Sequence, residues 1–289
     1  MNDVFVGTYT INNALRKFYF NDGKLYYVNS YEKTMYCSYL QFKNDKVYAL
    51  FENKKWDNGF FVILNTKNNS VKKTSSFGIN PCYVSVGKYI YICNYSSENI
   101  CIFDNDNLKY NLYLKNSLPH SAIEYKNNLI VVDKNNKLLV IDSKNNIKTI
   151  FNFEKHTAPR HIVIDNDFFY IVSEFSNQLF IFKDFKLINV IKISNGIGCA
   201  IKIYKNYLFT TSRETNIISV FDIMNKAEPK LIQKISSHGK NPRDMDFFND
   251  YLLVCNVDSN NISIFKFNKK LVFFNSYYIE KPFCISFKK

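Results

Sequence analysis

The sequence predicts an all-β chain, a seven-bladed β-propeller with four antiparallel strands per blade, and three observations predict it. A template of short apolar runs recurs about every 40 residues, the period of a propeller blade. The runs alternate in hydrophobicity and are rich in Ile, Val, Tyr and Phe, which suit a pleated, half-buried surface; aromatic residues make up 17% of the chain. The template is also cut across the two ends of the sequence, so that the first and last residues share one blade.

The elements follow in order. Val4-Phe-Val-Gly-Thr-Tyr-Thr10 reads as the second strand of a blade, Leu15-Arg-Lys-Phe-Tyr-Phe20 as the third and Leu25-Tyr-Tyr-Val28 as the fourth. Ser38-Tyr-Leu-Gln-Phe opens the next copy, which carries an insertion around Trp56. Three copies share one full template: Pro81 to Phe103, Pro159 to Phe182 and Pro242 to Phe265. Each is a short alternating run, a polar turn, a longer apolar run, a Ser/Asn turn and a third run ending in Phe. Fainter copies run from Pro119 to Ile141 and from Gly198 to Phe221. A fourth run follows each third, as in Lys148-Thr-Ile-Phe-Asn-Phe and Lys230-Leu-Ile-Gln-Lys-Ile. Pro282-Phe-Cys-Ile-Ser-Phe then supplies the one strand that the N-terminal copy lacks, which makes residues 1–289 a single domain. Period-2 runs and Asn-rich turns exclude helical repeats of similar length.

Composition narrows the function classes. The net charge is +13, which on its own points to an anionic partner. However, the basic residues are 34 lysines and only four arginines, and the lysines are spread through Lys/Asn-rich turns. Scattered lysines solvate a surface, so neither nucleic acid nor membrane is an expected partner. No run of 18 apolar residues occurs, and the first residues lack a basic segment followed by an apolar one. The seven cysteines, at 37, 82, 93, 101, 199, 255 and 284, form no Cys-x-x-Cys pair and interrupt apolar strand patterns, as buried thiols do. A cytoplasmic location is expected, with neither a metal site nor a cofactor. Gly-rich phosphate loops, Gly-x-Ser-x-Gly and His-Glu-x-x-His are all missing, so serine-nucleophile and zinc-hydrolase chemistry has no sequence support.

Topology turns positions into places. In a blade the first strand lies innermost, and its start and the end of the second strand lie on one face, beside the channel mouth, where functional groups gather. Proline at the opening of an inner strand need not donate to the ladder and so has a structural explanation. The residues directly after the openers are Cys82, His120, Arg160, Arg243 and Phe283. At the end of the second run, counted eight back from the residue that ends the third, stand Tyr95, Asp133, Glu174, Arg213 and Val257. Three of the chain's four arginines thus occupy two equivalent positions. Arginine kept in a lysine-rich chain points to planar, bidentate recognition of a carboxylate or phosphate. The structural alternative is inter-blade ion pairing of Arg160, Arg213 and Arg243 with Asp133, Glu174 or Glu214. His120 stands at a key position, whereas alternation sends His161 to the side opposite Arg160. His156 and His238 fall in loops ahead of inner strands.

Those residues carry a resemblance. Phe5-Val-Gly-Thr-Tyr-Thr, Asn80-Pro-Cys-Tyr-Val-Ser-Val with Cys93-Asn-Tyr, Leu118-Pro-His-Ser, Ala158-Pro-Arg-His with Ser173-Glu, Ser212-Arg and Asn241-Pro-Arg resemble the seven-bladed lactonase family. That family includes the propeller-type bacterial 6-phosphogluconolactonases and the fungal carboxy-muconate cyclase. The resemblance spans essentially the whole chain. It implies His120, Arg160, Glu174 and Arg243 as catalytic residues, and hydrolysis of a small anionic lactone, 6-phosphogluconolactone first among them. By their positions at the same channel face, Arg213, Asp133, Tyr95, Cys82 and His161 are expected to contact substrate, and a monomer or weak homo-oligomer is expected. Two alternatives remain at this point: a lactone-forming cycloisomerase acting on an unsaturated dicarboxylate, and a non-catalytic interaction platform.

Overall fold

A computed structural model describes residues 2–53 and 57–288; the expected insertion around Trp56 lies partly outside the described residues. The chain is a seven-bladed β-propeller: 28 strands form seven four-stranded sheets, and no helix occurs among the described residues.

The first sheet combines β1 (Asn2–Thr8), β2 (Leu15–Asn21) and β3 (Lys24–Tyr31) with the last strand of the chain, β28 (Pro282–Phe287), which lies beside β1. The blade shared by the two ends is therefore present. The second sheet is β4 (Cys37–Lys43), β5 (Lys46–Phe51), β6 (Asn58–Asn65) and β7 (Val71–Ile79), opening one residue before the predicted start. The third is β8 (Pro81–Val86), β9 (Ile90–Asn94), β10 (Asn99–Asp104) and β11 (Asn107–Tyr113). The fourth is β12 (Pro119–Tyr125), β13 (Asn128–Asp133), β14 (Lys137–Ile141) and β15 (Ile147–Asn152). The fifth is β16 (Pro159–Asp165), β17 (Phe168–Ser173), β18 (Gln178–Lys183) and β19 (Lys186–Lys192). The sixth is β20 (Gly198–Tyr204), β21 (Tyr207–Ser212), β22 (Ile217–Asp222) and β23 (Lys230–Ser236). The seventh is β24 (Pro242–Phe248), β25 (Tyr251–Asn256), β26 (Asn261–Asn268) and β27 (Lys270–Tyr278).

Burial ranks the strands within a sheet. The second and third strands are almost wholly buried, as in β9 and β10, whereas the fourth, such as β11, is exposed along most of its length. The sheets fall into two compact units, the first holding residues 1–21, 25–152 and 283–289, the second residues 22–24 and 153–282. In the first, Phe5, Phe42, Phe51, Phe60 and Leu64 pack into one buried cluster. In the second, Phe209, Met245, Phe247, Phe265 and Phe267 form another.

The inner strands share an irregularity. Pairing skips one residue directly after the opener in β8, β12, β16 and β24, between Pro81 and Tyr83, Pro119 and Ser121, Pro159 and His161, and Pro242 and Asp244. In β20 the pairing shifts at the same place but passes over two residues, between Gly198 and Ile201. Such bulges bend a strand and re-aim its side chains, and the extra residues here are Cys82, His120, Arg160 and Arg243.

Candidate active site

The second unit holds the arginine cluster. Arg160 enters from the bulge of β16, while Glu174 and Arg213 directly follow β17 and β21. An equivalent main-chain bond fixes each of those last two positions: Glu174 N–H donates to Ala158 O at 2.7 Å and Arg213 N–H to Ile197 O at 2.7 Å. Glu174 lies between two guanidinium groups, with Oε2 at 3.2 Å from Arg160 Nε and Oε1 at 2.8 Å from Arg213 Nη2. Arg160 and Glu174 are buried. The predicted alternative of ion pairing is thus realised for these two arginines, through Glu174.

Arg243, only partly exposed, sits among like charges. Burial first, then the charge of Arg160 and more weakly that of Arg213, pull its guanidinium down to about 10; it stays cationic at neutral pH. For Arg213 burial opposes the charge, but the Cys199 sulfur and the Glu174 carboxylate favour it, and the balance lies above the ordinary value. Two guanidinium groups on one clamped carboxylate, with a third close enough to feel their charge, form a site that an anion would complete.

His161 belongs to this cluster. The bulge at Arg160 breaks strict alternation, so the inference that His161 turns away does not carry through. Its imidazole is buried and is held well below the ordinary value, by burial first and then by the charges of Arg160, Arg243, Lys202 and Arg213. His161 is therefore neutral at physiological pH.

The other predicted residues lie in the first unit. His120 is buried, with the Tyr95 ring edge-on at 6.0 Å between centroids. Cys82 Sγ approaches three main-chain carbonyls, those of Pro119, Cys93 and His120, at 3.5–3.7 Å. Asp133 anchors a turn, its Oδ1 accepting from Leu118 N–H at 2.6 Å and Asn135 N–H at 2.8 Å. Asp133 is also one residue out of the predicted register. It pairs with Pro119 as Ser173 pairs with Pro159, so the counterpart of Glu174 is Lys134, whose N–H donates to Leu118 O at 3.0 Å. The cause is the turn after β13, one residue shorter than the turn after β17. Counting back from the end of the third strand therefore misplaced it.

Among the loop histidines, His238 is exposed and stacks on Phe273 with 4.0 Å between centroids. Sequence reasoning missed Cys199, which follows the opener Gly198 as Arg160 follows Pro159; the glycine hid the equivalence. Among the described residues, no group of three or more His, Cys, Asp or Glu side chains is disposed to hold a metal ion, and no helix is long and apolar enough to cross a membrane.

Known proteins match this architecture over its whole length. A protein from Lactobacillus plantarum superposes with a TM-score of 0.88 at 19% identity, covering 100% of both chains. The periplasmic gluconolactonase of Pseudomonas aeruginosa gives 0.88 at 17% identity, covering 99% of this chain and 98% of its own. A proposed 6-phosphogluconolactonase of Bacteroides fragilis gives 0.87 at 19% identity, covering 100% and 98%. At such identities the likeness is one of fold. Among curated proteins nothing matches the chain. The sequence profile described as "Lactonase, 7-bladed beta-propeller" matches residues 3–127 and 116–287, and by that match the chain belongs to the seven-bladed β-propeller lactonase family.

Proposed function

We propose that this protein hydrolyses a small anionic sugar lactone, with 6-phosphogluconolactone the first substrate to try. The observation that carries the reading is the grouping of Arg160, Arg213 and Arg243, two of them ion-paired to the buried Glu174 carboxylate, in a chain that otherwise uses lysine.

Water attacking a lactone carbonyl loads negative charge onto its oxygen, and preorganised guanidinium donors stabilise that charge in a water-poor site. Arg243 and Arg160 are suited to this oxygen or to a phosphate on the substrate. Glu174, with an arginine on each oxygen, is suited to take the proton of the attacking water, and a second group is the donor to the departing ring oxygen. His120, which the family resemblance puts among the catalytic residues, is the candidate for that donor, and His120→Ala tests it separately.

The deciding experiment follows opening of 6-phosphogluconolactone, corrected for spontaneous hydrolysis, by wild type and Arg160→Ala. Acceleration by wild type, reduced about 100-fold or more in the variant, is the expected outcome. No acceleration of this or any other anionic lactone would remove the reading. Formation of a lactone from an unsaturated dicarboxylate would replace it with the cycloisomerase.

A further inference from the structure

Cys199 follows the opener of β20 at the same register as Arg160 and Arg243 on their own strands, and the hydrolysis outlined above gives it no task. Its side chain is fully buried. Arg160 Nη1–H donates to its Sγ at 3.1 Å, and its Sγ–H donates to the main-chain carbonyl of Arg243 at 3.2 Å. Both contacts are shorter than the carbonyl contacts of Cys82, the thiol that follows the opener of β8, at 3.5–3.7 Å.

We propose that Cys199 is a positioning residue, whose thiol ties the Arg160 guanidinium to the strand bearing Arg243 so that both arginines present their donors to one anion. A guanidinium is planar, so fixing two of its nitrogens fixes the plane. Cys199 accepts from Nη1 and the Glu174 carboxylate lies 3.2 Å from Nε as an ion-pair partner, so the two together orient the guanidinium. A carboxylate at position 199 would hold Arg160 as well, but it would neutralise the charge. A thiol is a weak acceptor and a weak donor; it orients the guanidinium and leaves its charge for the substrate. What the arginines then act on rests on the lactonase reading; the bridge itself does not.

The test compares Cys199→Ala and Cys199→Ser with wild type and Arg160→Ala. Alanine removes both contacts, whereas serine keeps a donor and an acceptor. In Cys199→Ala kcat/KM for the lactone is expected to fall about tenfold, and Cys199→Ser is expected to recover most of it, with similar melting temperatures for the two variants. Alongside, nitrogen NMR of the arginine side chains, with the Arg160 signals identified by their loss in Arg160→Ala, reports rotation of the guanidinium directly. It is expected to be slow in wild type and Cys199→Ser and fast in Cys199→Ala. Wild-type kcat/KM in Cys199→Ala while Arg160→Ala is impaired would overturn the proposal, as would a serine variant as impaired as alanine. If wild type opens no lactone, the functional reading fails by itself and the NMR still decides the bridge: Arg160 signals unchanged in Cys199→Ala would overturn it.

Discussion

His161 makes folding sensitive to mild acid. Its imidazole is held neutral in the folded chain by burial and by four surrounding cations, whereas in the unfolded chain it titrates near about 6.5. Below that pH the unfolded state binds a proton that the folded state refuses. Stability therefore rises with pH through this window, is complete above it, and is lost as pH falls. The expected loss approaches about 1.4 kcal/mol per pH unit below about 6.5. His161→Gln, which cannot titrate, is expected to flatten that slope; urea unfolding at a series of pH values checks it, and equal slopes in both proteins would dismiss the effect. At this scale the sequence was informative wherever residue type was rare. Four arginines among 34 lysines made Arg160, Arg213 and Arg243 stand out, and the structure gathers all three with Glu174. Cysteine, seven in number and buried at six of those positions including 199, gave Cys199 no such contrast.

The passages between blades are elements in their own right. Ser75-Ser-Phe-Gly-Ile-Asn-Pro81 leads from β7 into β8, and Ser236-Ser-His-Gly-Lys-Asn-Pro242 leads from β23 into β24. They share one construction. The second serine bonds the glycine carbonyl two residues on, at 2.9 Å from Ser76 Oγ and 3.1 Å from Ser237 Oγ. A buried asparagine at the end of the second strand then donates to that serine's carbonyl, Asn94 at 3.0 Å and Asn256 at 3.3 Å. Glycine is required by close approach, because a Cβ on Gly78 or Gly239 would lie 2.4 Å from the Asn94 or Asn256 Cγ. Gly239→Ala is expected to cost about 1–3 kcal/mol by overpacking, and Asn256→Ala about 1–3 kcal/mol by lost hydrogen bonds. Alanine at 256 removes Cγ and Nδ2 but keeps the Cβ, which would still lie 2.5 Å from a Cβ on residue 239, so the clash is relieved only in part and the double variant should cost somewhat less than the sum. Denaturant unfolding of the three variants measures this, and strict additivity would show that the contact is not the cause. Elements were legible from period-2 runs bounded by Asn and Ser. The three-residue turn after β13 was not, because turn length leaves no mark on strand hydrophobicity, and Asp133 was misplaced for that reason.

Over the whole molecule, the blade count was readable because the copies outnumber their individual defects: a faint start at Gly198 is recognisable between clear ones at Pro159 and Pro242. The partition of one blade between the two ends was equally readable, from a last copy of one strand and a first copy of three. That partition predicts the effect of truncation. Without residues 282–289, β1 has no partner on its β28 side, and its buried Val4, Phe5 and Val6 lie on a bare edge open to pairing with other chains. The truncated protein is expected to elute as large aggregates, with partial rescue when a peptide of residues 280–289 is supplied during refolding. A monomer melting at the wild-type temperature would refute this.

The same pairing of β28 with β1 also sets a clock. A ribosome delivers β1 first and β28 last, so the sheet they share stays incomplete for almost the entire period of translation. At roughly 5–20 residues per second that interval is roughly fifteen seconds to a minute. Throughout it the nascent chain carries an unfinished apolar edge, and yield in the cell is then expected to depend on how well that edge is shielded until β28 is made as well as on how stable the finished protein is.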